Sequence, residues 1–211
     1  MTGLTGDLLA GIILLVIIVG SLSVHEFAHA FTANLFGDPT AKLEGRLTLN
    51  PLAHWDRVGT TLLAVLIMLR ALLPQAPIAV FGWGKPVPVN EDNFENPRFH
   101  GLQTALAGPM SNFILAALLA VVIRYLKLPL MIEAVLGLAV YLNLFLMFFN
   151  LIPVPPLDGS RVLRLFLSEQ TYWSLVSNPI WFLALFFIVF YFFLDYLSAM
   201  SGHLAGWLIS G

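Results

Sequence analysis

The sequence predicts an all-α polytopic membrane protein: about four transmembrane helices, a re-entrant hairpin and a short membrane-associated β-ribbon. Three observations lead there. Only 10% of the 211 residues are Asp, Glu, Lys or Arg, and 59% are hydrophobic. A soluble domain carries about 25% charge, and one core cannot hide this much apolar side chain behind so little polar surface. Long apolar runs recur along the whole chain, separated by two polar stretches at 38–57 and 85–100 that are rich in Pro, Asn and Gly. A water-soluble globular domain and a disordered chain are both excluded. The length suits a single domain over 1–211, with a core at about 8–168 and an additional C-terminal transmembrane helix at about 173–200.

The first apolar run extends from Leu8 through His25 and His29 to Phe36, long enough to cross a bilayer with tilt, and Gly37 follows as a C′ residue. No Lys or Arg precedes it, so it reads as a retained span rather than a signal peptide. Residues 59–80 form a second run, broken by Arg70, Pro74 and Pro77. Leu102–Leu126 and Leu130–Ile152 follow, joined by a tight turn at Lys127-Leu128-Pro129, and Trp173–Met200 is the last. The alternating stretch Ala41–Leu49 predicts the ribbon.

Orientation follows from the basic residues. Lys42, Arg46, Arg57, Lys85, Arg98, Arg161 and Arg164 fall on one side, and only Arg124 and Lys127 in the opposite turn. The polar stretches are then cytoplasmic and the N-terminus outside. Residues 59–80 start and end on the same side, which points to a re-entrant hairpin, with Arg70 bonding carbonyls or acids to hold it; an ordinary spanning helix with a flipped assignment elsewhere is the alternative.

Net charge is −2, so no basic excess points to nucleic acid. Cysteine is absent, so any metal must be held by His, Asp or Glu. His25-Glu26-Phe27-Ala28-His29 is an H-E-x-x-H sequence. On a helix, i and i+4 share a face, so both imidazoles can reach one zinc ion, with Glu26 beside its open position as a general base. Ionisable groups inside an apolar helix are expensive, which sharpens the signal. Asp158 is the best third ligand. It follows a rigid stretch with three prolines and precedes a helical one, where an N-cap role is the alternative. His54 reads as a loop histidine bonded to backbone, His100 as an interfacial anchor, and His203 as a solvent-facing tail residue.

Taken together, His25-Glu26-x-x-His29, Gly108-Pro109-x-x-Asn112 and Asn150-x-x-Pro153-x-x-Pro156-Leu157-Asp158-Gly159 resemble the site-2 protease family of intramembrane zinc metalloproteases. The loops Gly37-Asp38-Pro39, Gly45-Arg46-Leu47-Thr48-Leu49-Asn50-Pro51 and Gly82-Trp83-x-Lys85-Pro86 resemble its short prokaryotic branch, without PDZ or CBS domains. The resemblance covers about 20–165. It implies a single zinc ion on His25, His29 and Asp158, Glu26 as general base and acid, and Asn150 as a residue holding substrate or the developing oxyanion. Gly108 and Asn112 read as packing against the helix of the His pair, and Gly159 as structural support. It also implies a transmembrane protein as substrate, in regulated intramembrane proteolysis, in the multi-pass setting of a cell membrane.

Substrate helices must be unwound before cleavage. A strand edge carrying Leu47 and Leu49 is the expected docking edge for the unwound segment. A membrane zinc-binding or transport protein without proteolysis is the alternative, and the sequence does not fix an oligomeric state.

Overall fold

A computed structural model describes residues 3–178, 180, 187 and 191–211. Among the described residues, three helices are long and apolar enough to cross a membrane: α1 (Leu4–Leu35), α4 (Pro97–Tyr125) and α5 (Leu130–Asn150). Shorter helices are α2 (Thr40–Leu43), α3 (Gly59–Leu72), α6 (Glu169–Val176) and α7 (Leu194–Ser210). Three 3-10 segments, Pro51–His54, Glu91–Asn93 and Asp158–Leu165, shape the loops. The protein is a helical membrane protein.

The helix ends follow local chemistry. Asn96 accepts from the Phe99 N–H at 3.2 Å and Pro97 occupies the first turn, so α4 begins before the apolar run does. Gly37, at φ 98°, ends α1 in the left-handed region, and Asp38 N donates back to Ala33 O. Pro129 closes the turn between α4 and α5.

α4 is the central helix, packed on α1, α5 and α7. Its inner face is small: Ala116 and Ala120 let α5 approach, and Val140, Leu144, Met147 and Ala205 fill the space between. α1 is built inside out. Its buried residues are Gly11, Ser21, Ser23, His25, His29, Ala30 and Ala33, while Ile12 and Val16 face outward. Lipid solvates the apolar outer face, so polarity collects where helices meet.

The C-terminus of α1 and the N-terminus of α4 lie at the same end. Asn93 Nδ2 donates to Asp38 at 2.8 Å, and Phe36 stacks on His100 with centroids 4.4 Å apart. Between them, α3 has 14 residues. That is about 21 Å of helix, short of the hydrocarbon thickness of about 30 Å. The chain then returns in extended form, and the Trp83 ring lies against Gly59, where α3 began. Thr60 Oγ1 donates to Trp83 O at 3.0 Å. Arg70 reaches Ile78 O at 3.4 Å, a carbonyl contact at the turn.

Two expectations are corrected. No strand occurs among the described residues, and the predicted ribbon is instead α2 followed by a turn at Glu44-Gly45. The cause is local satisfaction of the backbone. Asp38 Oδ1 accepts from Thr40 N and Thr40 Oγ1, while Leu43, Glu44 and Arg46 N–H groups bond Pro39, Thr40 and Ala41 carbonyls. A strand would have left these groups seeking a partner. His203 sits on α7 rather than in a tail, because Leu197, Ser201 and Ala205 bury one face of that helix through to Ser210. The predicted span at 173–200 lies partly outside the described residues, with α6 and α7 on either side of the gap.

Candidate metal centre

His25 and His29 lie one turn apart on the buried face of α1, 5% and 8% exposed. Their Nε2 atoms are 3.0 Å apart. The third group comes from far along the chain. After α5, the segment 151–157 carries Pro153, Pro155 and Pro156 and delivers Asp158 as the first residue of its 3-10 helix. Asp158 Oδ2 lies 3.0 Å from His25 Nε2 and 3.4 Å from His29 Nε2. Leu157 holds the N-cap position, so the capping alternative for Asp158 is not realised. Gly159 allows the chain to double back here, since a Cβ would overlap the Leu151 carbonyl.

The polarity of the surrounding bonds bears on what this cluster holds. His29 Nδ1 donates to Thr104 O at 2.7 Å, and His25 Nδ1 bonds Asn112 Oδ1 at 2.6 Å. Both acceptors draw the imidazole proton to Nδ1 and leave a lone pair on Nε2. With both imidazoles neutral, two nitrogen lone pairs and a carboxylate oxygen converge with no hydrogen among them, and buried Asp158 Oδ2 has no other hydrogen-bond partner. Such an arrangement is repulsive without a cation. The spacings of 3.0–3.4 Å sit close to the edge of about 3.3 Å expected for tetrahedral ligands at about 2.0–2.1 Å from zinc. The donor set fits Zn2+, with two imidazoles and one carboxylate leaving a fourth position for water or substrate.

Glu26 is half-buried, and its Oε2 accepts from the Val87 N–H at 2.9 Å. Val87 belongs to the extended chain returning from α3. Arg46 clamps that chain from the side, donating to Lys85 O at 2.5 Å and Pro86 O at 3.3 Å. His54 is buried and bonded to Thr48 O at 2.8 Å, with Arg46 donating to its Nδ1. It is the backbone-bonded loop histidine expected from sequence, outside the metal cluster. His100 stacks on Phe36. Leu47 and Leu49 lie on an irregular bend, not on a strand. Asn150, the last residue of α5, donates from Nδ2 to Leu146 O in its own helix at 3.0 Å. Gly108 meets the His pair directly, since a Cβ there would strike the His29 and His25 rings. Asn112 packs and hydrogen-bonds on the same side.

Sequence reading missed the supports. Asn143 bonds Asn112 at 2.9 Å inside the bundle. Glu91 accepts from both Arg161 and Arg164, which tie the Asp158 segment to the start of α4. Arg98 adds bonds to Arg164 O and Leu167 O. Arg164 is buried. Burial works against its charge, yet Glu169 and Glu91 outweigh that and hold its pKa above the usual value. An Asn within an apolar run was the available signal for Asn143. Nothing local marked Glu91.

Fold and site together describe a helical membrane protein in which two histidines and one carboxylate form a group that could hold a metal ion. Comparison with known proteins agrees. The model of Peptidase family M50 matches residues 127–192. "Putative zinc metalloprotease YwhC" of Bacillus subtilis is 41% identical over 160 residues, 72% of this chain and 67% of that protein. "Putative zinc metalloprotease Rip2" of Mycobacterium tuberculosis (strain Erdman) is 35% identical over 216 residues, 93% of this chain and 78% of that protein. The protein of that name in Mycolicibacterium smegmatis is 34% identical, and its match covers 76% of this chain but only 60% of the relative. No solved structure matches. The chain belongs to peptidase family M50, the site-2 protease family of zinc metalloendopeptidases.

Proposed function

We propose that the chain hydrolyses peptide bonds in or beside transmembrane segments of other membrane proteins, in regulated intramembrane proteolysis, with His25, His29 and Asp158 holding zinc and Glu26 moving the proton. One observation carries this reading: the convergence of two Nε2 lone pairs and Asp158 Oδ2 within 3.0–3.4 Å at one end of a bundle of apolar helices. Zinc, when bound, supplies Lewis-acid polarisation of the scissile carbonyl and of the attacking water.

Everything else falls to the chain's own groups. Glu26 takes a proton from the attacking water and delivers it to the departing amine nitrogen. Its bond to Val87 N–H fixes the carboxylate beside the His pair. The Asn150 carboxamide has a second N–H beyond the one given to Leu146 O, and this donor serves the developing oxyanion. The α3 hairpin is re-entrant, which suits a helix too short to span and a return chain that ends where it began. Its end of the bundle gathers Arg46, Lys85, Arg98, Arg161 and Arg164, so this end faces the cytoplasm of a cell membrane and the N-terminus lies outside. The site and its supports span 8–168 within one domain.

The test is cleavage of single-pass model substrates by reconstituted protein, with zinc content measured in parallel. Wild type is expected to cleave in or near the substrate's membrane segment. Glu26→Gln is expected to keep zinc and lose cleavage. Full-rate cleavage by Glu26→Gln would remove the hydrolytic mechanism and leave a zinc-binding membrane protein.

A further inference from the structure

The two ligand histidines are oriented by different kinds of acceptor. His29 Nδ1 donates to Thr104 O at 2.7 Å. A backbone carbonyl in a helix can only accept, so this proton has one place to be. His25 Nδ1 instead faces a carboxamide, Asn112 Oδ1, at 2.6 Å. A carboxamide has two unlike ends. Turned over, Asn112 would present N–H donors to Nδ1, force the imidazole proton to Nε2, and block that nitrogen from metal.

Something must therefore fix which end of Asn112 faces His25. Asn112 and Asn143 are 0% and 1% exposed, so water does not decide. Asn112 Nδ2 donates to Asn143 Oδ1 at 2.9 Å and reaches Ser21 O at 3.4 Å. Asn143 Nδ2 donates to Ala139 O at 2.9 Å and to Ser21 Oγ at 2.9 Å. The Ala139 carbonyl only accepts. It compels Asn143 to turn its NH2 inward along α5 and its oxygen toward Asn112. That oxygen compels Asn112 to turn its NH2 toward Asn143 and its oxygen toward His25. The direction of every bond is set from a backbone carbonyl outward, across three helices.

We propose that Asn143 is a positioning residue for the metal centre, which through Asn112 holds His25 as the Nδ1–H tautomer with its Nε2 lone pair free. The proposal rests on the reading of His25 as a zinc ligand. Reversing Asn112 would set its oxygen against Asn143 Oδ1 and Ser21 O, three acceptors together in a dry helix interface. Removing Asn143 lifts most of that bias, and the two amide orientations then compete.

The test uses the full chain in detergent micelles, stripped of metal, with 15N-labelled histidine. Nitrogen shifts report the His25 tautomer, and competition with a chromogenic chelator reports the zinc Kd. Asn143→Leu removes both bonds. Asn143→Ser is smaller, keeps a hydroxyl for Ala139 O and cannot reach Asn112. In either variant His25 is expected to gain an Nε2–H population, and zinc binding to weaken about tenfold or more. Asn143→Asp, with a protonated carboxyl, keeps a donor for Ala139 O and an acceptor for Asn112, and is expected to restore most of both. An unchanged tautomer and Kd in Asn143→Ser would overturn the relay, even with a lowered melting temperature. Wild-type zinc affinity in His25→Ala would instead overturn the ligand reading and the relay with it. Lost affinity in His25→Ala alongside an unaffected Asn143→Ser overturns the relay alone.

Discussion

Glu26 and Val87, 61 residues apart, are joined by a hydrogen bond of 2.9 Å from the Val87 N–H to the Glu26 carboxylate. The donor is singular because the residues on either side are Pro86 and Pro88, which have no N–H. Arg46 holds the same chain by its Lys85 and Pro86 carbonyls, so the donor is braced. Val87→Pro removes the donor and leaves the metal ligands untouched. The expected outcome is a fall in kcat of about ten- to a hundredfold with zinc content unchanged, read from cleavage kinetics and metal analysis on the same preparation. Loss of zinc together with activity would show that the bond supports the fold and not Glu26.

Gly108 brings α4 against the His25 and His29 rings, and a Cβ would occupy the same space as His29 Nε2. Gly108→Ala is expected to displace the imidazoles. Zinc affinity should drop by more than tenfold and stability by about 1–3 kcal/mol from overpacking. Zinc titration and thermal unfolding in detergent check the two effects. Wild-type affinity in Gly108→Ala would mean the rings sit elsewhere.

Glu91 faces two guanidinium groups, Arg161 and Arg164, and Arg164 is 8% exposed. Breaking a buried pair by removing one partner costs about 3–5 kcal/mol. Arg164 keeps Glu169 as a second partner, so Glu91→Gln is expected at the lower end, about 3 kcal/mol. Zinc should dissociate faster as well, because the segment after Asp158 loses its ion pairs to Glu91 and is held to α4 only through the Arg98 bonds to the Arg164 and Leu167 carbonyls. Unfolding curves and metal-release rates would show it. A double variant, Glu91→Gln with Arg161→Gln, should cost less than the sum of the singles.

Asp38 is fully buried and gathers four donors: Thr40 N and Oγ1, Asn93 Nδ2 and Asn90 N. Burial alone would raise its pKa. The hydrogen bonds from Thr40, Asn93 and Asn90 outweigh that and hold it below the usual carboxylate value. A depressed folded pKa means stability is fully present above the unfolded pKa of about 3.9 and is lost as pH falls through the folded value. Asp38→Asn should therefore cost about 1.5–3 kcal/mol at neutral pH. The gap to wild type should narrow as pH drops below about 4. Melting temperatures of both proteins from pH 7 into acid test this; a gap constant with pH would contradict it.

Much of the candidate site was legible because its signals are short or compositional. His25, Glu26 and His29 occupy five consecutive residues, and a helix places i and i+4 together whatever surrounds it. Asp158 stood out as a carboxylate after three prolines. The three long spans were legible from apolar length alone. The Ala41–Leu49 ribbon was misread because alternation fits a strand only if a neighbouring chain supplies hydrogen bonds. Here Asp38 and the Pro39, Thr40 and Ala41 carbonyls supplied them locally. Asn143 went unnoticed because it is uncharged, although in an apolar helix its amide also needs partners.

The sequence by itself determined that this chain lives in lipid, which residue types could hold a metal, and that two of them share a helix face. Those properties depend on composition and on periodicities of a few residues. Only the tertiary structure decided which acceptor meets each imidazole, which N–H reaches Glu26, and where Asp158 arrives. A hydrogen bond needs its two groups within about 3 Å, and the partners here are 61–87 residues apart in the chain. Their meeting is fixed by how α1, α4 and the return chain pack.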